Sequence, residues 1–389
     1  MGGLRIRYGM VGGGPGAFIG AVHRMAAALD GRFELVAGAF SSDAARSRET
    51  GEQLGIAAAR TYGSFAEMAE AEAALPEDER IEVVSIVTPN HLHHSAAMAF
   101  LAADIHVICD KPLTTTLADA EELCREASAR GLVFCVTHNY SGYPMVKEAR
   151  ERVRRGDLGD IRKVIVEYSQ GWLATLLEAR GHKQASWRAD PDRAGVSSAL
   201  GDIGSHAEHL ARYVTGLEMD ELFADLGTLV PGRVLEDDAT VLIRYAGGSR
   251  GLLTASQVAT GERNHLRLRV YGSEAGLDWS QERPDRLRLA LADGSEQIFH
   301  DGGSSLSARA TAHQRLPAGH PEGFIEAFAN LYRNVGLTLD ARAGRAAAGE
   351  FDGDFPTVRD GARGVFFIHA AVHSSAAGTW VPAAYEPPA

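Results

Sequence analysis

Three side chains in this sequence have the types and spacing for proton chemistry at an alcohol. Lys111 follows an apolar run, Ile105 to Cys109, and stands in the turn Asp110-Lys111-Pro112. If that run is a strand of a parallel sheet, its ammonium sits at the mouth where such sheets bind ligands. Asp202 and His206 are four residues apart, one turn of a helix, so both face the same way. Taking a hydride from a secondary alcohol needs a base for the hydroxyl proton and a donor for the developing alkoxide. Histidine titrates near neutral pH and serves as acid or base. A lysine polarises the oxygen, and desolvation lowers its pKa towards sharing the proton. Asp202 then orients the imidazole or holds a substrate hydroxyl. The plainer readings are a surface lysine and an Asp–His pair at a helix start.

A hydride acceptor must lie beside these groups, and the N-terminus carries a signal for one. The segment Gly12-Gly13-Gly14-Pro15-Gly16-Ala17-Phe18-Ile19-Gly20 follows an apolar run and opens a helical pattern. It fits G-x-G-x-x-A through Gly12, Gly14 and Ala17, the turn that lets a backbone approach a pyrophosphate at a helix N-terminus. Gly16, Phe18 and Ile19 extend that surface, and Gly16 or Gly20 competes with Ala17 for the third small position. A bare glycine turn is the alternative. A ribose-binding acid is expected at the end of the second strand, where Ser41 stands, followed by Ser42, Asp43 and Arg46. NAD is the expected cofactor. A missing acid near an arginine also suits a 2′-phosphate, so NADP is not excluded.

Alternating elements must position these residues. Buried strands are predicted over Leu4–Val11, Phe33–Phe40, Glu82–Thr88, Ile105–Cys109 and Leu132–Thr137. Helices are predicted over Phe18–Leu29, from Asp43 with Ser42 as its cap, over His91–Ala103 and over Thr116–Arg130. That alternation implies a parallel sheet covered on both faces. Thr88, Pro89, Asn90 and His93 follow the third strand, where the nicotinamide half of a dinucleotide passes, and Asn139 follows the last; all are candidate cofactor-binding residues. After residue 140 the pattern changes. Ile161–Tyr168 reads as a strand and Asp202–Thr215 as a helix. Ala239–Tyr245, Gly251–Val258, Leu266–Tyr271 and Leu287–Ala292 read as a mostly antiparallel sheet. Glu322–Asn334 and Val358–Ser375 return to helix. The division predicted is a Rossmann domain over 1–138 and a substrate-binding and oligomerisation α/β domain over 139–389, its last helices packing back on the first. The Pro- and Ala-rich tail from Pro382 is expected to lie along the surface or fray.

Composition bounds the rest. The 389 residues are 45% hydrophobic and 23% charged, with a net charge of −12. That balance suits a globular protein and argues against nucleic acid or anionic membrane as partners. Three cysteines, Cys109, Cys124 and Cys135, offer no metal spacing, and no metal is expected. Their sparse, odd count and the lack of a secretory pattern point to the cytoplasm.

Taken together, the glycine turn, Thr88-Pro89-Asn90-His91-Leu92-His93, Asp110-Lys111-Pro112 and Gly201-Asp202-Ile203-Gly204-Ser205-His206 resemble the glucose–fructose oxidoreductase, inositol dehydrogenase and rhizopine-catabolism (Gfo/Idh/MocA) family. The resemblance covers nearly the whole chain. It implies an N-terminal Rossmann doubly wound parallel sheet and a C-terminal α/β domain whose large, mostly antiparallel open sheet often forms an oligomer interface, here of a homodimer or homotetramer. It implies hydride transfer at secondary alcohols of sugars, glycosides or cyclitols, with Lys111 in the site, His206 as acid/base and Asp202 as its partner. Asp110 replaces the family's usual Glu. His138-Asn139-Tyr140 lacks a following arginine, and Tyr143 stands near that space. Other candidates surround the substrate. Trp172 and Trp187 offer flat faces for a sugar ring. Lys183 and Arg188 suit hydroxyls or an anion, unless their loop is only a salt-bridged surface. The resemblance also places the Trp187-Arg188 pair near the cofactor cleft, and His320 opens a late helix towards it. Two further readings stay open. One is glycoside cleavage by transient ring oxidation, elimination, hydration and re-reduction. The other is a non-catalytic nucleotide sensor.

Overall fold

Apolar runs too short for helices, separated by helical periods, fold into a five-stranded parallel sheet in the order β2-β1-β3-β4-β5. These are β1 (Ile6–Gly12), β2 (Phe33–Ala39), β3 (Val83–Val87), β4 (His106–Cys109) and β5 (Phe134–Val136). The structure, a computed structural model, describes residues 5–389, except for the side chains of Lys183 and Gln184. Every residue of β3 is buried, as a strand covered on both faces requires. The strand order reverses between β1 and β3, and a crevice opens outside their carboxyl ends. Helix Phe18–Leu29 begins there with no side-chain cap, so no side chain stands between its N-terminus and the crevice. The helix after β2 is capped by Asp43 rather than Ser42. The Asp43 carboxylate accepts from the amides of Ala45 at 2.9 Å and Arg46 at 3.2 Å, and a charged acceptor one residue later satisfies two orphan donors at once.

The second sheet has nine strands in the order β13-β12-β11-β10-β6-β9-β8-β7-β14. Its members are β6 (Ile161–Ser169), β7 (Met219–Gly227), β8 (Asp238–Tyr245), β9 (Arg250–Ser256), β10 (His265–Gly272), β11 (Ala275–Ser280), β12 (Arg286–Leu291), β13 (Glu296–His300) and β14 (Val381–Pro382). Only β6 and β9 pair in parallel. One face carries Val164, Val166, Leu268 and Trp279 into a core completed by helices Pro144–Arg154 and Ser205–Thr215. The other alternates outward as charged rows, with Arg267 on Asp278 and Arg269 on Glu167, the period of two expected of a sheet packed on one side.

The last helices return to the first sheet. Helix Phe324–Arg342 packs on Phe18–Leu29, and Val358–Ala377 packs on Leu117–Ala129. The tail does not fray. Val381 and Pro382 pair with β7, Tyr385 stacks on Phe366 at 4.5 Å, and Glu386 pairs with Arg359 and Arg363. The helix expected over Asp202–Thr215 is two elements, a π-helical turn Leu200–Gly204 and an α-helix Ser205–Thr215. Buried Glu236 fixes the approach to that turn by accepting from Ser197 Oγ at 2.6 Å and the Ser198 and Leu200 amides at 2.9 and 3.1 Å.

Candidate active site

The crevice continues between the two sheets as a cleft of about 1300 Å³. Its glycine arm is built by backbone shape. Gly12 and Gly13 hold φ of 86° and 74°, values L side chains rarely adopt. A Cβ on Gly20 would stand 2.4 Å from the Gly13 Cα, and one on Gly14 2.7 Å from the Phe40 carbonyl oxygen. Gly20, rather than Ala17, is therefore where helix and turn meet without side chains. Ala17, Phe18, Ile19, Ser41, Ser42 and Arg46 line this arm together with Glu49 and Ser64, whereas Gly16 is not among the lining residues.

Further in, Thr88, Pro89, Asn90, Asp110, Lys111 and Asn139 line the cleft. Thr88 Oγ1 and Asn139 Nδ2 are buried with no partner. Orphaned groups of this kind at a strand-end crevice fit a polar ligand such as the nicotinamide half of a dinucleotide. Asn90 instead donates to the Ala194 carbonyl at 3.2 Å and ties the two sides of the cleft. Asp110 accepts from Thr137 Oγ1 at 2.8 Å and from the Lys111 amide at 3.0 Å, which fixes the turn that carries the lysine.

Lys111 Nζ crosses to the π-helical turn, donating to the Asp202 carbonyl at 2.6 Å and to Asp202 Oδ1 at 2.9 Å. Asp202 Oδ2 accepts from Arg188 Nε at 3.0 Å and Gln257 Nε2 at 2.9 Å. Burial alone would raise this carboxyl, but Arg188 and Lys111 overcome it and hold Asp202 well below the usual carboxylate range. The expectation that Asp202 orients His206 is corrected here. The π turn and the arrival of two cations direct its oxygens to Lys111 and Arg188. His206 lines the same cleft. Its Nδ1 is buried without a partner, which leaves the other nitrogen for a ligand. Burial first, then Lys111 and His138, push its pKa well below the ordinary histidine value, so the ring is neutral and able to accept.

Other candidates lie around this centre. Tyr140 and Arg188 line the cleft, as does Trp187, whose ring lies 4.2 Å below the Arg188 guanidinium. His138 is behind His206, stacked on His209 at 4.6 Å, and Tyr143 is buried behind Tyr140; neither is among the lining residues. His93 has its two ring nitrogens 2.9 Å from the Pro112 and Thr88 carbonyls, so it braces the two turns rather than facing a ligand. Trp172 stands one layer back, donating to Gln170 Oε1 at 2.9 Å. His320 is exposed and outside the lining, 3.2 Å from the Pro317 carbonyl. The Lys183 side chain lies outside the described residues. A surface group of His94, Asp119 and Glu122 has ligand spacing for a metal ion, but none of the three lines the cleft.

Comparison with known proteins gives this geometry its setting. Residues 6–138 match the family model for the oxidoreductase family, NAD-binding Rossmann fold, and residues 146–278 match the GFO/IDH/MocA C-terminal domain. The chain belongs to the GFO/IDH/MocA oxidoreductase family. Its relatives include the oxidoreductase YfiI of Bacillus subtilis, 34% identical across 97% of this chain and 96% of that one. The levoglucosan dehydrogenase of Pseudarthrobacter phenanthrenivorans is 29% identical across 97% of both chains. An inositol dehydrogenase homolog from Azotobacter vinelandii, solved with NAD+, is 37% identical with a TM-score of 0.92 over 97% of each chain. The N-terminal third of this GFO/IDH/MocA oxidoreductase is thus an NAD-binding Rossmann fold, and the rest of the chain forms a mostly antiparallel α/β unit. No helix among the described residues is long and apolar enough to cross a membrane.

The oxidoreductase also presents cleft residues that the sequence did not flag: Tyr168, Gln170, Asn264 and Gln281. They sit at strand ends with no motif around them. The one local hint is the turn signal at Gly261, three residues before Asn264.

Proposed function

We propose that this oxidoreductase oxidises a secondary hydroxyl of a cyclic polyol, a sugar, glycoside or cyclitol, with NAD. One observation carries the reading. The Lys111 ammonium lies 2.9 Å from Asp202 Oδ1 in the same cleft wall as an unpartnered, neutral His206, at the carboxyl end of the parallel sheet. NAD supplies the hydride acceptor for the carbinol carbon. The protein residues handle the rest. Lys111 donates to the carbinol oxygen and stabilises the charge that develops there. Asp202 holds that ammonium in place and balances it. His206 takes the hydroxyl proton on the nitrogen facing the cleft. We place the boundary between the cofactor and substrate halves at residue 138. Solved relatives support the substrate class: the Azotobacter vinelandii homolog has been solved with NADH and myo-inositol, and levoglucosan dehydrogenase with NADH and levoglucosan.

The test is a panel of cyclitols, aldoses, anhydrosugars and aryl glycosides with NAD or NADP, following both reduced nicotinamide and released aglycone. Net reduction of NAD by a cyclic polyol is the expected result. Aglycone release with no net reduction replaces this reading with redox-neutral glycoside cleavage, and neither signal on any compound removes both.

A further inference from the structure

We infer that Asn264 is the hub of a second recognition pole, which binds hydroxyls of the substrate ring away from the carbon being oxidised and selects uncharged polyols. This rests on the dehydrogenase reading above. The pole starts beside His206. The Tyr140 ring meets that imidazole edge-on at 4.8 Å, and its hydroxyl lies 2.5 Å from that of Tyr168. Tyr168 donates to Asn264 Oδ1 at 2.7 Å, and Gln170 Nε2 donates to the same oxygen at 2.7 Å. Asn264 Nδ2 donates to the Tyr140 hydroxyl at 3.2 Å. Behind them Trp172 Nε1 donates to Gln170 Oε1 and sets which way that amide faces.

Sheet register brings these groups together. Ser169 pairs with His265, so Gln170 just after β6 adjoins Asn264 just before β10. The Gln281 amide group bonds β10 through its backbone, donating to the Leu266 carbonyl at 2.9 Å, and so ends β11 at the same edge. Tyr140, Tyr168, Gln170, Asn264 and Gln281 all line the cleft.

Counting valences shows what the pole offers. Both lone pairs of Asn264 Oδ1 are taken, and Gln170 Nε2 also donates to the Tyr168 hydroxyl at 3.5 Å, while Asn264 Nδ2 keeps one N–H beyond its bond to Tyr140. Its orientation is locked by the bonds that Asn264 makes to Tyr140, Tyr168 and Gln170, so it is a preorganised donor for a hydroxyl oxygen. None of the five side chains is charged at neutral pH. A carboxylate or phosphate placed here meets neutral amides and no counter-ion, at a desolvation cost that a hydroxyl does not bear. At the cleft centre, Arg188 and Lys111 each bond Asp202, and the remaining N–H of Lys111 serves the carbinol oxygen at the reacting end of the ring. A wall built to pair with hydroxyls also rejects a ring that lacks them, because its own donors are then left unpaired.

The probes are myo-inositol and levoglucosan, their monodeoxy analogues and a carboxylate-bearing sugar. The variants are Asn264→Asp, which keeps the shape but replaces the donating amide nitrogen with an acceptor, and Gln170→Ala. With the oxidised polyol, each variant is expected to raise KM about 10–100-fold, with kcat within ~3-fold and calorimetric NADH affinity unchanged. At least one monodeoxy analogue should lose a similar factor with wild type and lose nothing further with Asn264→Asp. Unchanged KM in both variants, or a fall in kcat with KM unchanged, overturns the pole. Turnover of the carboxylate-bearing sugar equal to that of the neutral polyol overturns the selection for uncharged rings. If wild type oxidises none of the probes, the dehydrogenase reading falls first and the pole with it.

Discussion

Asp202 accepts from Lys111, Arg188 and Gln257 at once, and that arrangement fixes what each neighbour is able to do. Two bonds to Asp202 hold the Lys111 side chain at the place where an alkoxide forms. With its Nδ1 unpartnered in a buried site, His206 gains nothing from carrying a second proton until a substrate arrives. Lys111→Ala and His206→Ala should each lower turnover by ~10²-fold or more while NADH titration by fluorescence stays near wild type. Near-normal turnover in both would remove the proposed mechanism. The pH dependence follows from the sign of the shift. Burial, Lys111 and His138 all disfavour the imidazolium, so the neutral base persists to more acid solution than for an ordinary histidine. The acid limb of kcat/KM should therefore lie well to the acid side of the ordinary histidine value. A limb centred at the ordinary histidine value would overturn His206 as a base held neutral by burial.

At the scale of elements, the glycine turn and the helix after it form one unit. A Cβ at Gly20 meets backbone, at 2.4 Å from the Gly13 Cα, so the turn itself must move to admit it. Gly20→Val should weaken NADH binding by ~10-fold or more, because the N–H groups offered to the pyrophosphate are displaced. Gly353→Ala, with nothing within 4 Å of its added Cβ, should bind as wild type. The helix itself was legible: Phe18–Leu29 was expected and is observed, because its apolar period is uninterrupted and glycines bound it. The segment from Leu200 to Thr215 was half legible. Its helical spacing is real, but the π turn that redirects Asp202 depends on Glu236, far along the chain, accepting from Ser198 and Leu200. Local periodicity carries no trace of that contact.

Across the whole molecule, Asp354 gathers the helices that close the C-terminal half. It pairs with Lys147, which is fully buried, at 3.0 Å and with Arg309 at 2.8 Å, and it accepts from Tyr213 at 2.8 Å. Burial would raise its carboxyl, yet Lys147 and Arg309 hold it well below the usual range. A depressed carboxyl stabilises the fold above its unfolded pKa, and that stabilisation is lost as pH falls through the folded value. Asp354→Asn should therefore cost roughly 3–5 kcal/mol at neutral pH by leaving Lys147 uncompensated. By thermal melts the difference should be constant from about pH 5 to 8 and shrink only below about pH 4. A difference that vanishes at pH 6 would show that Asp354 titrates in the ordinary range.

Sequence alone determined the parallel sheet and the cofactor turn and singled out Lys111, Asp202 and His206 as candidates, since each depends on residue type and on spacing within a few turns of chain. Tertiary structure decided the rest. It turned Asp202 from histidine partner to lysine anchor, moved His93 from ligand to brace, pinned the tail to β7, and assembled an amide and phenol wall around Asn264. The physical reason is distance along the chain. Lys111 and Asp202 are 91 residues apart and Tyr168 and Asn264 are 96; the first pair meets across the cleft between the end of β4 and the π-helical turn, the second because β10 lies beside β6, and no local pattern encodes either meeting.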